Sequence, residues 1–206
     1  MSTKTTAGHK KIRTTNAEMT AQTQARILQT TKLCLAELGY AGTTLTGVAK
    51  RLGLTQPALS YHFANKFQLM AAVANSIYDE MAADFRVVAP ASLTAAERIL
   101  AVFEAAFHQS GSVNQMALVE LLLAAHRDPQ CREAVAPVIA RRDLEFQASW
   151  QAIVEQLSVS AERLELLRDF GVSLYRGMTV CRSMVGDAPS FAAQHAIVRR
   201  LVLDAL

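Results

Sequence analysis

Apolar residues recur every three to four positions along most of the chain, and no stretch keeps a strict alternation of apolar and polar residues. The first helix is predicted from about Thr20 to Leu38 by the stripe Ile27, Leu28, Thr31, Cys34, Leu35 and Leu38. Gly39 follows as the expected left-handed cap of that helix. Because the helical period persists and Gly and Pro are few, the sequence predicts an all-α fold.

Two short helices joined by a tight turn are predicted next. Thr44 is placed to cap the first of them, whose apolar stripe is Leu45, Val48, Ala49 and Leu52. Gly53 supplies the permissive backbone that a sharp turn needs. Thr55 can cap the second helix, and Pro57 falls in its first turn, where a missing N–H group costs nothing. The pattern predicts a helix-turn-helix with residues 56–62 as the recognition helix.

A long fourth helix is predicted after Asn65, which can cap it. Its apolar stripe is Leu69, Val73, Ile77, Met81 and Phe85, and it ends before Pro90. Such a helix spans ~35 Å at 1.5 Å per residue. It is therefore expected to act as a lever between the helix-turn-helix and the rest of the chain.

Five further helices are predicted in residues 91–206. Their expected starts are Thr94, Asn114, Asp128, Ser160 and Pro189, and the first four are expected to end near Ser110, Ala125, Leu157 and Gly186. Thr94 and Glu97 have the spacing of a capping box. Pro137 is expected to kink or divide the third of these helices.

The last predicted helix is apolar on two faces. One face carries Phe191, His195, Val198 and Val202, and another carries Ile197 and Leu201. A terminal helix of this kind needs two partners, which are its own core and something outside it. The alternative is a helix wrapped fully inside one subunit.

Charge is divided unevenly along the 206 residues. Residues 1–66 carry a net charge of +7 and the remainder carries −4, which together give the net charge of +3. A basic segment on a mildly acidic body is typical of a head that binds a polyanion. The length suits one large or two small domains with a substantial core.

The helix-turn-helix segment also carries a family resemblance. Gly39-Tyr40-x-x-Thr43-Thr44 is followed by Val48-Ala49, Gly53-Leu54-Thr55, Leu59-x-x-His62-Phe63 and Asn65-Lys66. This series resembles the TetR family of bacterial transcriptional regulators over about residues 20–75. The family usually has Tyr directly after the leucine of the recognition helix, where this chain has Ser60, so contact with DNA at that position is expected to differ.

The resemblance implies a set of DNA-binding residues on double-stranded DNA. Gln56 matches a position that can read adenine, and Pro57 and Ala58 can contact a thymine methyl group. The set is Thr43, Thr44, Thr55, Gln56, Pro57, Ala58, Ser60, Tyr61, His62 and Lys66, of which Thr43, Thr44, Tyr61, His62 and Lys66 are placed to bind phosphates. The alternative for Tyr61 is packing against the first helix.

The resemblance further implies a homodimer formed through the last two helices and a small-molecule effector bound in the C-terminal bundle. The candidate ligand-binding residues are Phe103, Phe107, Trp150, Tyr175 and Met178, and the alternative for each is a place in the core. The expected domains are a basic disordered arm (1–19), a helix-turn-helix domain (20–66) and an effector-binding and dimerisation domain (67–206). The arm is expected either to reach a minor groove or to remain a solvated tail.

Enzymatic, metal-binding and membrane classes find little support in the sequence. The sequence has no metal-ligand spacing among its cysteines, which are Cys34, Cys131 and Cys181. It also contains no nucleophile motif and no phosphate-loop motif. Glu104 and His108 share a helix face that is expected to be wet. No run reaches the ~18 apolar residues of a membrane span and no signal-peptide core is present, so a cytoplasmic protein without cofactor or metal is expected.

The expected function is therefore a regulator that represses transcription from a palindromic operator and is released by a small hydrophobic or aromatic effector. Two alternatives remain open at this point. One is a DNA-binding protein controlled by a protein partner without a small-molecule effector. The other is a helical-bundle enzyme.

Overall fold

The computed structural model describes residues 16–206, and these residues form nine α-helices and no strand. The all-α prediction is confirmed. The helices are α1 (Asn16–Gly42), α2 (Leu45–Leu52), α3 (Gln56–His62), α4 (Lys66–Val88), α5 (Ala95–Gln109), α6 (Val113–Arg127), α7 (Pro129–Val154), α8 (Ala161–Val185) and α9 (Pro189–Leu203).

The predicted basic arm lies largely outside the described residues. Its last four residues, 16–19, belong to α1, so this helix begins before the predicted start at Thr20. Glu18 lies in the first turn, where a negative charge interacts favourably with the helix dipole.

Local sequence signals account for most helix starts. Thr44, Thr55, Asn65, Ser112, Asp128 and Ser160 each accept a hydrogen bond from a backbone N–H group in the first turn of the helix that follows. Thr94 and Glu97 form the predicted capping box in both directions. These bonds satisfy N–H groups that have no partner inside the helix, and each such cap contributes about 1 kcal/mol.

One detail of the predicted helices is wrong, and of the two effects expected of Pro137, a kink or a division of the helix, the division is excluded. Gly39 has φ 69° and ψ 175°, so its φ is positive but its ψ is extended and not left-handed helical. The chain then makes a further turn through Gly42 before α2. Pro137 does not divide α7, which continues from Pro129 to Val154. The side chain of Pro137 is exposed, so its ring is accommodated on the solvent side of the helix.

Buried apolar residues form two clusters, which position the two candidate sites. The first cluster joins α1–α4 to α6 and the start of α7, and its fully buried members include Ile27, Leu35, Val48, Leu59, Leu69, Ile77 and Leu121. The second joins α5, the end of α7, α8 and α9, and includes Ile99, Trp150, Ile153, Leu164 and Val198. The helix-turn-helix therefore shares a continuous core with part of the C-terminal bundle.

Candidate nucleic-acid interface

Helices α2 and α3 form the predicted helix-turn-helix. Gly53 has φ 70° and ψ 25°, and its N–H group donates to the carbonyls of Ala49 and Lys50 at the end of α2. Leu54 N also donates to Ala49 O at 2.9 Å, so the chain turns within two residues. Leu59 on α3 is fully buried beside α2, which fixes how the second helix is presented.

One face of α3 is exposed to solvent. Thr55, Gln56, Pro57, Ala58 and Tyr61 are exposed, and the side chain of Tyr61 is 83% exposed. Tyr61 therefore does not pack against α1, which was the alternative interpretation. Ser60 and His62 are half-buried. An exposed row of this kind is what a recognition helix needs to enter a major groove.

The structure adds Thr46 and Lys50 of α2 to this surface. Thr46 Oγ1 donates to Gln56 Oε1 at 2.9 Å, which orients the amide of the residue expected to read a base. Lys50 is exposed one turn further along α2. Sequence analysis missed both, although they occupy an i, i+4 pair of polar positions beside the apolar stripe of α2.

Two of the predicted phosphate-binding residues are used inside the protein. Thr43 is buried, and its hydroxyl donates to Gly39 O at 2.8 Å. Lys66 Nζ donates to Tyr40 O at 2.7 Å and lies 3.8 Å from the centre of the Tyr40 ring. Partial burial lowers the pKa of Lys66. Thr44 stays exposed, but its hydroxyl caps α2 at Gly47 N.

Tyr40 connects this surface to the rest of the molecule. Its backbone N–H donates to Glu120 Oε2 at 3.0 Å, and its hydroxyl donates to Asp128 Oδ2 at 2.9 Å. Hydrogen bonds from Cys131 N and Tyr40 hold the pKa of Asp128 below its usual value, so this acceptor is ionised at neutral pH. The end of α1 is thereby tied to α6 and to the start of α7.

Some basic side chains of the helix-turn-helix domain form ion pairs inside the protein and are less available to a ligand. Arg51 makes two hydrogen bonds to Glu37, at 2.6 Å and 2.9 Å. Lys32 is fully buried and pairs with Glu80 of α4 at 2.5 Å. Lys50 remains exposed on the same side as α3, and Lys66 keeps two of its three donor hydrogens.

The five candidate ligand-binding residues lie together in the second cluster. Phe103 contacts Trp150 edge to face at a ring separation of 6.0 Å, and Phe107 lies 6.3 Å from Tyr175. Phe103, Trp150, Tyr175 and Met178 are buried, and Phe107 is half-buried. These side chains pack against their neighbours, as expected if they belong to the hydrophobic core.

A polar chain that sequence analysis missed borders these aromatic residues. Tyr175 Oη lies 2.8 Å from His195 Nδ1, and His195 Nε2 lies 2.9 Å from Glu104 Oε2. Since the ionised carboxylate only accepts, Nε2 carries the proton, and in the neutral ring Nδ1 accepts from Tyr175. Burial and the Glu104 carboxylate raise the pKa of Tyr175, which keeps it a neutral donor. His108, which shares the α5 face with Glu104, is exposed.

Comparison with known proteins first identifies the N-terminal part of the chain. Residues 27–73 match the sequence model of bacterial regulatory proteins of the tetR family. The HTH-type transcriptional regulator CymR of Pseudomonas putida is 24% identical over 168 residues, which cover 82% of this chain and 83% of CymR.

Solved structures show the same fold over most of the chain. A TetR-family transcriptional regulator from Rhodococcus sp. superposes with a TM-score of 0.71 at 18% identity, covering 89% of this chain and 98% of that one. The ketosteroid transcriptional regulator KstR2 of Mycobacterium tuberculosis superposes with a TM-score of 0.60 at 18% identity, covering 86% and 93%. Within residues 16–206, no helix is both long and apolar enough to span a bilayer.

Proposed function

Because the chain belongs to the TetR family of bacterial regulatory proteins and is a DNA-binding transcriptional regulator, we propose that it represses transcription by binding a palindromic operator as a homodimer in the cytoplasm. The observation that carries the proposal is the exposed row on α3, in which Gln56, Pro57, Ala58 and Tyr61 are open to solvent. Two such helices, one per subunit, would enter successive major grooves roughly 34–36 Å apart.

Regulators of this family act as dimers, and an apolar surface on α8 and α9 supports the assignment of the interface to these helices. Its residues are Leu166, Phe170, Val180, Met184, Ile197 and Leu201, all of which are exposed in the single subunit. On α8 they are separated by four, ten and four residues, intervals that place all four on one side of the helix. A second copy is the occupant that would bury this surface.

A small hydrophobic or aromatic effector, bound in the second cluster, is the proposed signal. The name of the structural neighbour KstR2 connects that protein with ketosteroids, which are hydrophobic molecules. The clustering of Phe103, Phe107, Trp150, Tyr175 and Met178 supports the same region here. For a hundredfold release from the operator, the effector must prefer the non-binding conformation by about 2.7 kcal/mol.

The test begins with selection of genomic fragments that the purified protein binds in vitro. The recovered operator is expected to contain an inverted repeat, because a two-fold dimer presents two identical recognition helices. Fluorescence anisotropy with this operator then measures affinity and stoichiometry. Recovery of fragments without a shared inverted repeat would contradict the proposal.

The principal alternative is a DNA-binding protein controlled by a protein partner. It is favoured by the direct packing of Phe103 on Trp150, because these two rings occupy the space that a ligand between them would need. Under this alternative, no small molecule that binds the cluster alters operator affinity, and a protein that docks on the bundle does.

A further inference from the structure

The indole of Trp150 carries a hydrogen-bond donor that the protein does not use. Trp150 is fully buried on α7, and its Nε1–H group has no hydrogen-bond partner among residues 16–206. A buried donor without a partner loses its hydrogen bond to water without replacement, which destabilises the folded protein. Phenylalanine would fill much of the same space without this cost, so the polar atom at this position calls for an explanation.

The polar side chains that accept hydrogen bonds at the border of the second cluster are engaged with one another, and Arg182, which lies over the Phe107 and Phe191 rings, can only donate. Tyr175, His195 and Glu104 bond to one another, and Arg199 Nε adds a further contact to Glu104 Oε1 at 3.1 Å. None of these groups accepts from Trp150 Nε1. The unused donor therefore lies among apolar neighbours, with Phe103 edge to face against the indole.

We propose that the second cluster opens beside Trp150 to bind a small ring compound bearing a neutral carbonyl group, which accepts the hydrogen bond of Trp150 Nε1–H. This inference deepens the proposed effector function and rests on it. A ring fits because Phe103, Phe107 and Tyr175 supply aromatic edges and faces against which a flat ligand can pack.

The surroundings favour a neutral acceptor over a carboxylate. The buried members of the second cluster are almost all apolar, and its bordering carboxylate, Glu104, follows Phe103 directly in α5. An anion there would lose its hydration and meet a like charge. The neighbouring cations are already paired, Arg199 with Glu104 and Arg182, which lies over the Phe107 ring, with Asp187. A ketone, ester or amide carbonyl gains the hydrogen bond without that desolvation.

Binding requires side-chain movement, and α5 is where the structure allows it. Phe103 and Phe107 are one turn apart on α5, and both contact rings of other helices. Gly171 of α8 lies so close to Phe103 that a Cβ atom there would stand 2.7 Å from Phe103 Cε1. Rotation of Phe103 away from α8 would open space between Trp150 and Tyr175.

The single tryptophan makes a direct test possible. In full-length protein labelled with ¹⁵N at the indole nitrogen, one indole cross-peak is expected. Three probes of similar size are titrated to millimolar concentrations: acetophenone, ethylbenzene and benzoate. We expect acetophenone to shift the peak saturably and downfield, ethylbenzene to cause no downfield shift, and benzoate to bind more weakly than acetophenone.

A variant supplies the matched comparison. Trp150→Phe should weaken acetophenone binding about fivefold to tenfold by calorimetry, the loss of one hydrogen bond, while ethylbenzene affinity stays within about twofold. If the variant does not fold, the titration of the wild-type peak still decides. An indole peak that acetophenone does not move, or equal affinities for acetophenone and ethylbenzene, overturns the proposal.

Operator binding separates this inference from the proposed function. Anisotropy of the selected operator without any probe tests the regulator, and the probes do not enter that measurement. If operator binding is intact and acetophenone leaves the indole peak unmoved, the carbonyl site is wrong and the regulator stands. If acetophenone moves the peak as expected but leaves operator affinity unchanged, the site stands and the effector role is wrong.

Discussion

At the residue scale, Gln56 and Lys66 represent two kinds of DNA contact. Gln56 is exposed on α3 and held by Thr46, which suits base recognition. Lys66 donates to Tyr40 O but keeps two donor hydrogens for a phosphate. The first contact depends on the base sequence, whereas the second depends only on charge.

We therefore expect Gln56→Ala to lose about 1–3 kcal/mol of discrimination at one base pair and to keep most of the salt dependence. Lys66→Ala should weaken operator and random DNA alike and lower the log–log salt slope by about one unit. Lys50→Ala removes a charge from the same surface without breaking a bond inside the protein, so a similar fall in its salt slope would show that the Lys66 effect comes from charge and not from the lost bond to Tyr40. Identical behaviour of the Gln56 and Lys66 variants on operator and random DNA would contradict the assignment.

A second residue-scale prediction concerns the buried Lys32. Its ammonium group pairs with Glu80, which also accepts from Asn114 at 2.7 Å. Partial burial alone would raise the pKa of Glu80, but hydrogen bonds from Lys32, Asn114 and Ser76 outweigh it, so the pKa lies below its usual value. The pair joins α1 to α4 and α6.

Since the folded-state pKa of Glu80 is depressed, its stabilising contribution is complete above the unfolded-state pKa and is lost as pH falls through the folded-state value. Glu80→Gln should lower the free energy of unfolding at pH 7 by about 1–2 kcal/mol, a figure reduced because Glu80 is half exposed. Urea denaturation at pH 7 and near pH 3 measures this difference, which should shrink in acid. Glu133→Gln, at an exposed position, should show no such pH dependence.

At the scale of elements, α9 separates its own core from the proposed interface. Val198 is fully buried in the second cluster, while Ile197, the preceding residue, is 61% exposed. The two faces predicted from the sequence are thus confirmed, and a charge at each position should have a different effect.

Ile197→Asp should dissociate the dimer without unfolding the subunit, because it places an unpaired charge in the interface only. Operator affinity should fall although every proposed DNA contact is intact. Val198→Asp should instead unfold the subunit, as circular dichroism would show. Ala192→Asp, exposed about 140° away around the helix, is the control. Sedimentation of the wild type as a monomer would refute the interface.

At the scale of the whole molecule, the structure provides two routes between the bundle and the recognition helix. Helix α4 links them along the chain, and Tyr40 links α1 to Glu120 of α6 and to Asp128. The first hydrophobic cluster reinforces this second route, since α1, α4 and α6 share it. A change in the bundle that moves α6 would therefore move the end of α1 as well.

Coupling through these routes must be reciprocal. If an effector weakens operator binding by some factor, saturating operator must weaken effector binding by the same factor. We expect Tyr40→Phe, which removes the hydroxyl bond to Asp128, to reduce this factor more than it changes either separate affinity. Titration of Trp150 fluorescence with and without operator measures it. Equal effector affinities in the two titrations would favour control by a protein partner.

The sequence alone determined the local elements of this protein. Caps such as Thr44, Thr55 and Asn65 act on N–H groups within the next turn, and the conformation of Gly53 depends on its missing Cβ atom, so neighbouring residues suffice to predict them. The helix-turn-helix followed from these signals, and the DNA-contacting start of α3 was expected from the family resemblance. The assignment of the apolar residues of α9 to two different faces followed from helical periodicity.

Only the tertiary structure decided which side chains are used internally. The Lys32–Glu80 pair spans 48 positions, the hydrogen bond from Lys66 to Tyr40 spans 26, and the chain from Tyr175 to Glu104 includes a contact across 91. A local pattern carries no information about such partners, because they meet only when helices from different parts of the chain pack together. For the same reason, the unpaired indole of Trp150 could not be recognised until its neighbours were known.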